Sequence, residues 1–179
     1  MLYAFGFERI AVIVSDLCFA NPGSEDSQEG PERGVRLEVR FLRRDEVRGS
    51  IYSAQPINVD RPVWRADLLE AVGSVPGSLD RAHYHPRFEG WEPGRRRFAA
   101  DLSAHPLDWV GGRLSDLDSL LVEAGVAPGE VGKGDAYALR EAVPEILGAA
   151  RRLLDKVKAG GLGRPDSDHD LVAARMGWL

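Results

Sequence analysis

Cysteine is almost absent from the chain, with Cys18 its sole thiol. One thiol makes no intramolecular disulfide and excludes every zinc site built from several cysteines. Its context, "SDLCFA", suits a small buried hydrophobe better than a nucleophile. Long apolar runs are missing too, and no stretch approaches the roughly 20 apolar residues that cross a bilayer as a helix. The opening "MLYAFGFERIAVIVSDLCFA" is apolar but has no basic leader or small-residue cleavage site, and Glu8 and Arg9 interrupt it. A reducing cytoplasm is therefore the expected location. Positive charge is not in excess: the net charge is -5 and the pI about 5.4. That balance disfavours nucleic acid and anionic membrane as general partners, while leaving room for a local basic patch.

What is present suffices for a core. With 179 residues, 44% of them hydrophobic, the chain needs no disulfide or structural metal to fold. The expected organisation is a single α+β domain over 1–160, with an antiparallel sheet mainly in 8–90 and helices mainly in 101–160. A flexible tail over 161–179 follows, ending in an apolar cluster that could dock.

"IAVIV" (Ile10 to Val14) is a short β-branched run suited to a strand buried on both faces. Asn21 to Gly34 is all turn formers and charge, hence a loop. In "VRLEVRFLR", Val35, Leu37, Val39 and Phe41 alternate with Arg36, Glu38 and Arg40, the clearest strand signal in the chain. "SIYSAQPINV" reads as a further strand, placed at an edge or bulge by Pro56, and Asp60 to Pro62 as a turn. "VWRADLLEAV" fits strand or short helix; its extended start after Pro62 favours strand. "RAHYH" reads as a short strand after a loop.

From Asp101 the period changes to helical. Leu114, Leu117, Leu120, Leu121 and Ala124 lie on one stripe, with Ser115 as expected N-cap. A second stripe runs from Val143 to Val157 and stops at Gly160-Gly161; Pro144 kinks this helix or marks its first turn. "GKGD" lacks the spacing of a phosphate-binding loop, and Asp135 reads as a helix N-cap.

The candidate chemistry lies in "GSLDRAHYHPRFEGWEPGRRRF" (Gly77 to Phe98). Residues two apart on a strand share a face, so His83 and His85 project together with Arg81. Two imidazoles side by side supply neutral nitrogens to a metal, and Glu89 could fold back as a carboxylate third ligand or base. The competing reading is a pair of histidines on a solvated strand face.

The spacing Gly77, His83, His85, Glu89 resembles the first metal-binding motif of the cupins. The resemblance implies that His83, His85 and Glu89 hold a divalent metal within a β-barrel. It covers about a dozen residues. It stops where the next glycine would fall at Arg96, and no second motif follows. The helical period after Phe98 points to α+β instead of a barrel.

The same histidines also permit a metal-free site. If "VWRADLL" pairs antiparallel with "RAHYH", Arg65 and Asp67 come beside His83 and His85. His83 or His85 would then be the acid–base catalyst, Asp67 its orienter, and Arg65, Arg81 and Arg87 the holders of an anionic substrate, as in a small toxin-like ribonuclease. Trp91 and Phe98 would stack on bases and Arg95 to Arg97 meet phosphates; the plainer alternative is a solvated loop. A third reading is an interaction module, binding a protein partner or a second copy through the C-terminal helix and tail. "DSDHD" (Asp166 to Asp170) attracts metal by composition only, and His105, before a proline, reads as a helix-entry residue.

Overall fold

A computed structural model describes residues 1–19 and 31–160. The first half forms β1 (Leu2–Gly6), β2 (Ile10–Phe19), β3 (Glu32–Arg44), β4 (Ile57–Ala71) and β5 (His83–His85). These make one antiparallel meander in the order β1-β2-β3-β4-β5. A small hairpin, β6 (Phe88–Glu89) and β7 (Glu92–Pro93), follows. The helices are α1 (Ala100–Ala104), α2 (Pro106–Ser115), α3 (Leu117–Ala124) and α4 (Asp135–Lys158). The fold is α+β, an N-terminal sheet covered by C-terminal helices. The expected tail and "DSDHD" lie outside the described residues.

Alternation decides which face meets the helices. Ile10, Val12, Val14, Val35, Leu37 and Val39 are all buried, as are Trp64, Ala66 and Leu68 from β4. They join Leu102, Val110, Leu114 and the α4 residues Leu139, Ile146 and Leu153 in one core. Each such side chain contributes roughly 1.5–3 kcal/mol on leaving water. Trp64 stacks on Trp109 of α2 at 6.1 Å, and Tyr84 packs on the same ring at 4.9 Å. The stripe of α4 is thus used inside the fold.

Several sequence expectations are corrected. Residues 51–56 form no strand, and β4 runs unbroken from Ile57 through the presumed turn at Asp60 to Pro62. Pro62 lacks an N–H, and the ladder accommodates it at register shifts between Val39 and Arg40 and between Arg40 and Leu42. The edge strand β1 has no counterpart in the sequence reading. Ser115 ends α2, while the Asp116 carboxylate caps α3 by accepting from the Ser119 N–H at 3.2 Å. Gly125, at φ 74, ends α3 in the left-handed conformation that glycine favours. Pro144 lies inside α4 rather than in its first turn.

Asp135 is the first residue of α4, with Gly134 at the N-cap. Its buried carboxylate accepts from the backbone N–H of Gly132 at 2.6 Å and of Glu8 at 2.8 Å. It therefore clasps the β1–β2 turn to the start of α4.

β3 and β4 come very close at Gly34 (φ 156), where an added Cβ would lie 2.1 Å from the Leu68 carbonyl oxygen. Gly34→Ala is expected to lower the unfolding free energy by at least about 2 kcal/mol. An unchanged denaturant midpoint would contradict that close approach.

Candidate metal centre

The face of the sheet turned away from the helices carries charge. Cross-strand partners share a face, so Ser15, Arg36, Asp67 and His83 form one row across β2 to β5. Ile13, Glu38, Arg65 and His85 form the next. Asp67 pairs with His83 and Arg65 with His85, so the antiparallel pairing on which the metal-free reading depends is present.

Asp67 is fully buried at the centre of this lattice. Its Oδ1 accepts from Arg36 Nε at 2.7 Å. Arg65 Nε lies 2.8 Å from Oδ2, yet neither atom has a well-aligned hydrogen bond. Burial alone would push the Asp67 carboxyl up, but the Arg36 and Arg65 guanidiniums beside it hold the carboxyl well below its ordinary range. Asp67 is ionised. In the adjoining row, Arg40 Nη1 donates to Glu38 Oε2 at 2.9 Å and its Nε to the Asp60 carbonyl at 2.7 Å.

Both imidazoles are fixed by backbone. His83 Nδ1 lies 2.8 Å from the Arg81 carbonyl oxygen, and His85 Nδ1 lies 2.7 Å from that of Gly94. A carbonyl only accepts, so each Nδ1 carries the proton. That leaves both Nε2 atoms aimed at one carboxylate oxygen: His83 Nε2 is 3.4 Å and His85 Nε2 3.7 Å from Asp67 Oδ2. Burial, helped by the charge on Arg65, pushes His85 down to about 4, so it is neutral at pH 7. Its Nε2 and Asp67 Oδ2 are buried with no hydrogen-bond partner. Leaving such atoms unsatisfied costs about 1–3 kcal/mol each.

Among the described residues, Asp67, His83 and His85 form a group whose ligand atoms lie within 4.8 Å of one another, and it could hold a metal. Zinc–ligand bonds of about 2.0–2.1 Å imply a tetrahedral edge of about 3.4 Å, matching the spacing to Oδ2.

The remaining candidates fall elsewhere. Glu89 is exposed on the β6–β7 hairpin and stands outside this group. Arg81 contributes its carbonyl, while its guanidinium lies 4.0 Å from Asp80. Arg87 Nε donates to the Glu123 carbonyl at 3.3 Å, away from the centre at the end of α3. His105 sits at the N-cap of α2, as read from sequence. Burial pushes the Cys18 thiol up, which disfavours its thiolate. Sequence reasoning missed Arg36 as a partner of Asp67, although the alternation in β3 already placed it on the outward face.

No described helix is long and apolar enough to cross a membrane. Comparison with protein-family models, curated proteins and solved structures finds no match for this chain.

Proposed function

We propose that this protein binds a divalent transition metal, with zinc the best geometric match, through Asp67 Oδ2, His83 Nε2 and His85 Nε2. The observation that carries the reading is the convergence of two imidazole lone pairs and an anionic oxygen on one point, with both Nδ1–H groups tied to backbone carbonyls. That second set of hydrogen bonds orients metal-bound histidines and fixes their tautomer. A cation there would satisfy Asp67 Oδ2 and His85 Nε2 together. Three protein ligands leave a fourth tetrahedral position for water or substrate, the arrangement that activates water at neutral pH.

The metal-free acid–base reading has less support. An orienting carboxylate should receive the Nδ1–H and leave Nε2 facing the substrate. Here the Nε2 atoms face Asp67, and the backbone takes the other side of each ring.

Protein purified without an affinity tag should contain about one zinc per chain after equilibration with the metal, measured by elemental mass spectrometry. His83→Ala and His85→Ala should each weaken zinc binding by more than the roughly 10–100-fold that outer-shell changes cost. Glu89→Gln should leave it unchanged. Sub-stoichiometric metal, the same in wild type and both histidine variants, would refute the proposal.

A further inference from the structure

We propose that the metal centre receives the phosphate of a nucleotide whose base stacks on Trp91 and Phe98, an inference that rests on the metal reading above. The first argument is charge. Among the described residues, Arg36, Arg40 and Arg65 share this face with Glu32, Glu38 and Asp67, so a bound divalent ion would tip its balance to net positive charge. That excess, brought by the metal, sits in a desolvated setting and calls for an anionic ligand. A phosphate ester carries about -1.5 to -2 charges at neutral pH and offers three acceptor oxygens. The Arg65 guanidinium, its Nε 2.8 Å from Asp67 Oδ2, stands beside that ion and adds its charge to the attraction for phosphate.

The second argument is the aromatic rim. Trp91 is 61% and Phe98 71% exposed, although both are anchored to the charged face. Arg40 lies over the Trp91 ring at 5.2 Å, and the Phe98 ring stands 6.0 Å from that of His83. The rings standing against the two histidines are therefore side chains, Phe98 and, beside His85 at 6.3 Å, Phe88. A solvent-facing ring next to a cationic centre suits a ligand that pairs a planar aromatic with phosphate. A base uses both features; inorganic phosphate or an acidic peptide uses only the charge.

The test is calorimetric titration of the zinc-loaded full chain with adenosine monophosphate, adenosine, inorganic phosphate and a short single-stranded oligothymidylate. Adenosine monophosphate should bind at least about tenfold more tightly than adenosine or phosphate alone. Trp91→Ala and Phe98→Ala should each cost about tenfold in nucleotide affinity without changing zinc content or phosphate binding. Stronger binding of the oligonucleotide identifies a strand as the source of the same chemistry, and stronger binding of the mononucleotide a free nucleotide. If the zinc-loaded protein binds neither, or the ring variants bind as wild type does, the inference falls while the metal reading stands. Failure to take up zinc overturns both.

Discussion

Asp67→Ala lowers the free energy of unfolding by about 3–5 kcal/mol, the largest loss expected of a single substitution on the charged face of the sheet. The carboxylate sits against two guanidiniums, with Arg36 Nε at 2.7 Å and Arg65 Nε at 2.8 Å. Removing it leaves two cations in a half-buried layer where the neighbouring Glu38 is already engaged by Arg40. Cations stranded this way cannot relax by losing a proton, because a guanidinium does not deprotonate in a protein. Asp67→Asn keeps the shape and one acceptor oxygen but not the charge, so it should fall between wild type and alanine. Urea unfolding of the three proteins with chelator present separates this from any metal effect. A loss below about 1 kcal/mol for alanine would show that the arginines are not held by Asp67.

Acid should destabilise the protein in two successive windows. His85 titrates near 6.5 when unfolded and is pushed down to about 4 in the fold. The unfolded chain therefore takes up the proton first as pH falls, and stability drops by about 3 kcal/mol between pH 6.5 and 4. Asp67 extends the loss. Its folded carboxyl lies below its unfolded value, so its contribution is complete above about pH 4 and disappears as the pH falls further. His85→Asn should flatten the first window and leave the second, measured by denaturant midpoints across pH in chelator. A wild-type curve flat from pH 6.5 to 4 would mean that His85 is charged in the native state.

The regular alternation of "VRLEVRFLR" and the same-face spacing of His83 and His85 in "RAHYH" made the charged face of the sheet legible. The carboxylate of the metal group was harder to select. Glu89 is four residues from His85 in sequence, but Pro86 and the following hairpin carry it away. Asp67 is remote in sequence and directly opposite His83 in the ladder. Strand register, not chain distance, sets which groups meet. The carbonyls that fix the histidine tautomers, from Arg81 and Gly94, were invisible because backbone acceptors leave no trace in residue type. Pro62 misled for a related reason: it marks a turn unless the partner strand is long enough to bulge around it, which β3 is.

The Asp135 clasp has a consequence for synthesis. The β1–β2 turn N–H groups that donate to its carboxylate belong to Glu8 and Arg9, and Asp135 is made more than a hundred residues after them. Closing so long a loop adds little entropy beyond a shorter one, since each doubling costs only about 0.6 kcal/mol. The cost is one of timing. On the ribosome the β1–β2 turn, though its strands can already pair with β3, stays unclasped until Asp135 has left the exit tunnel. A nascent chain stopped before Gly132 should display that turn as protease-sensitive, while one extended past α4 should protect it.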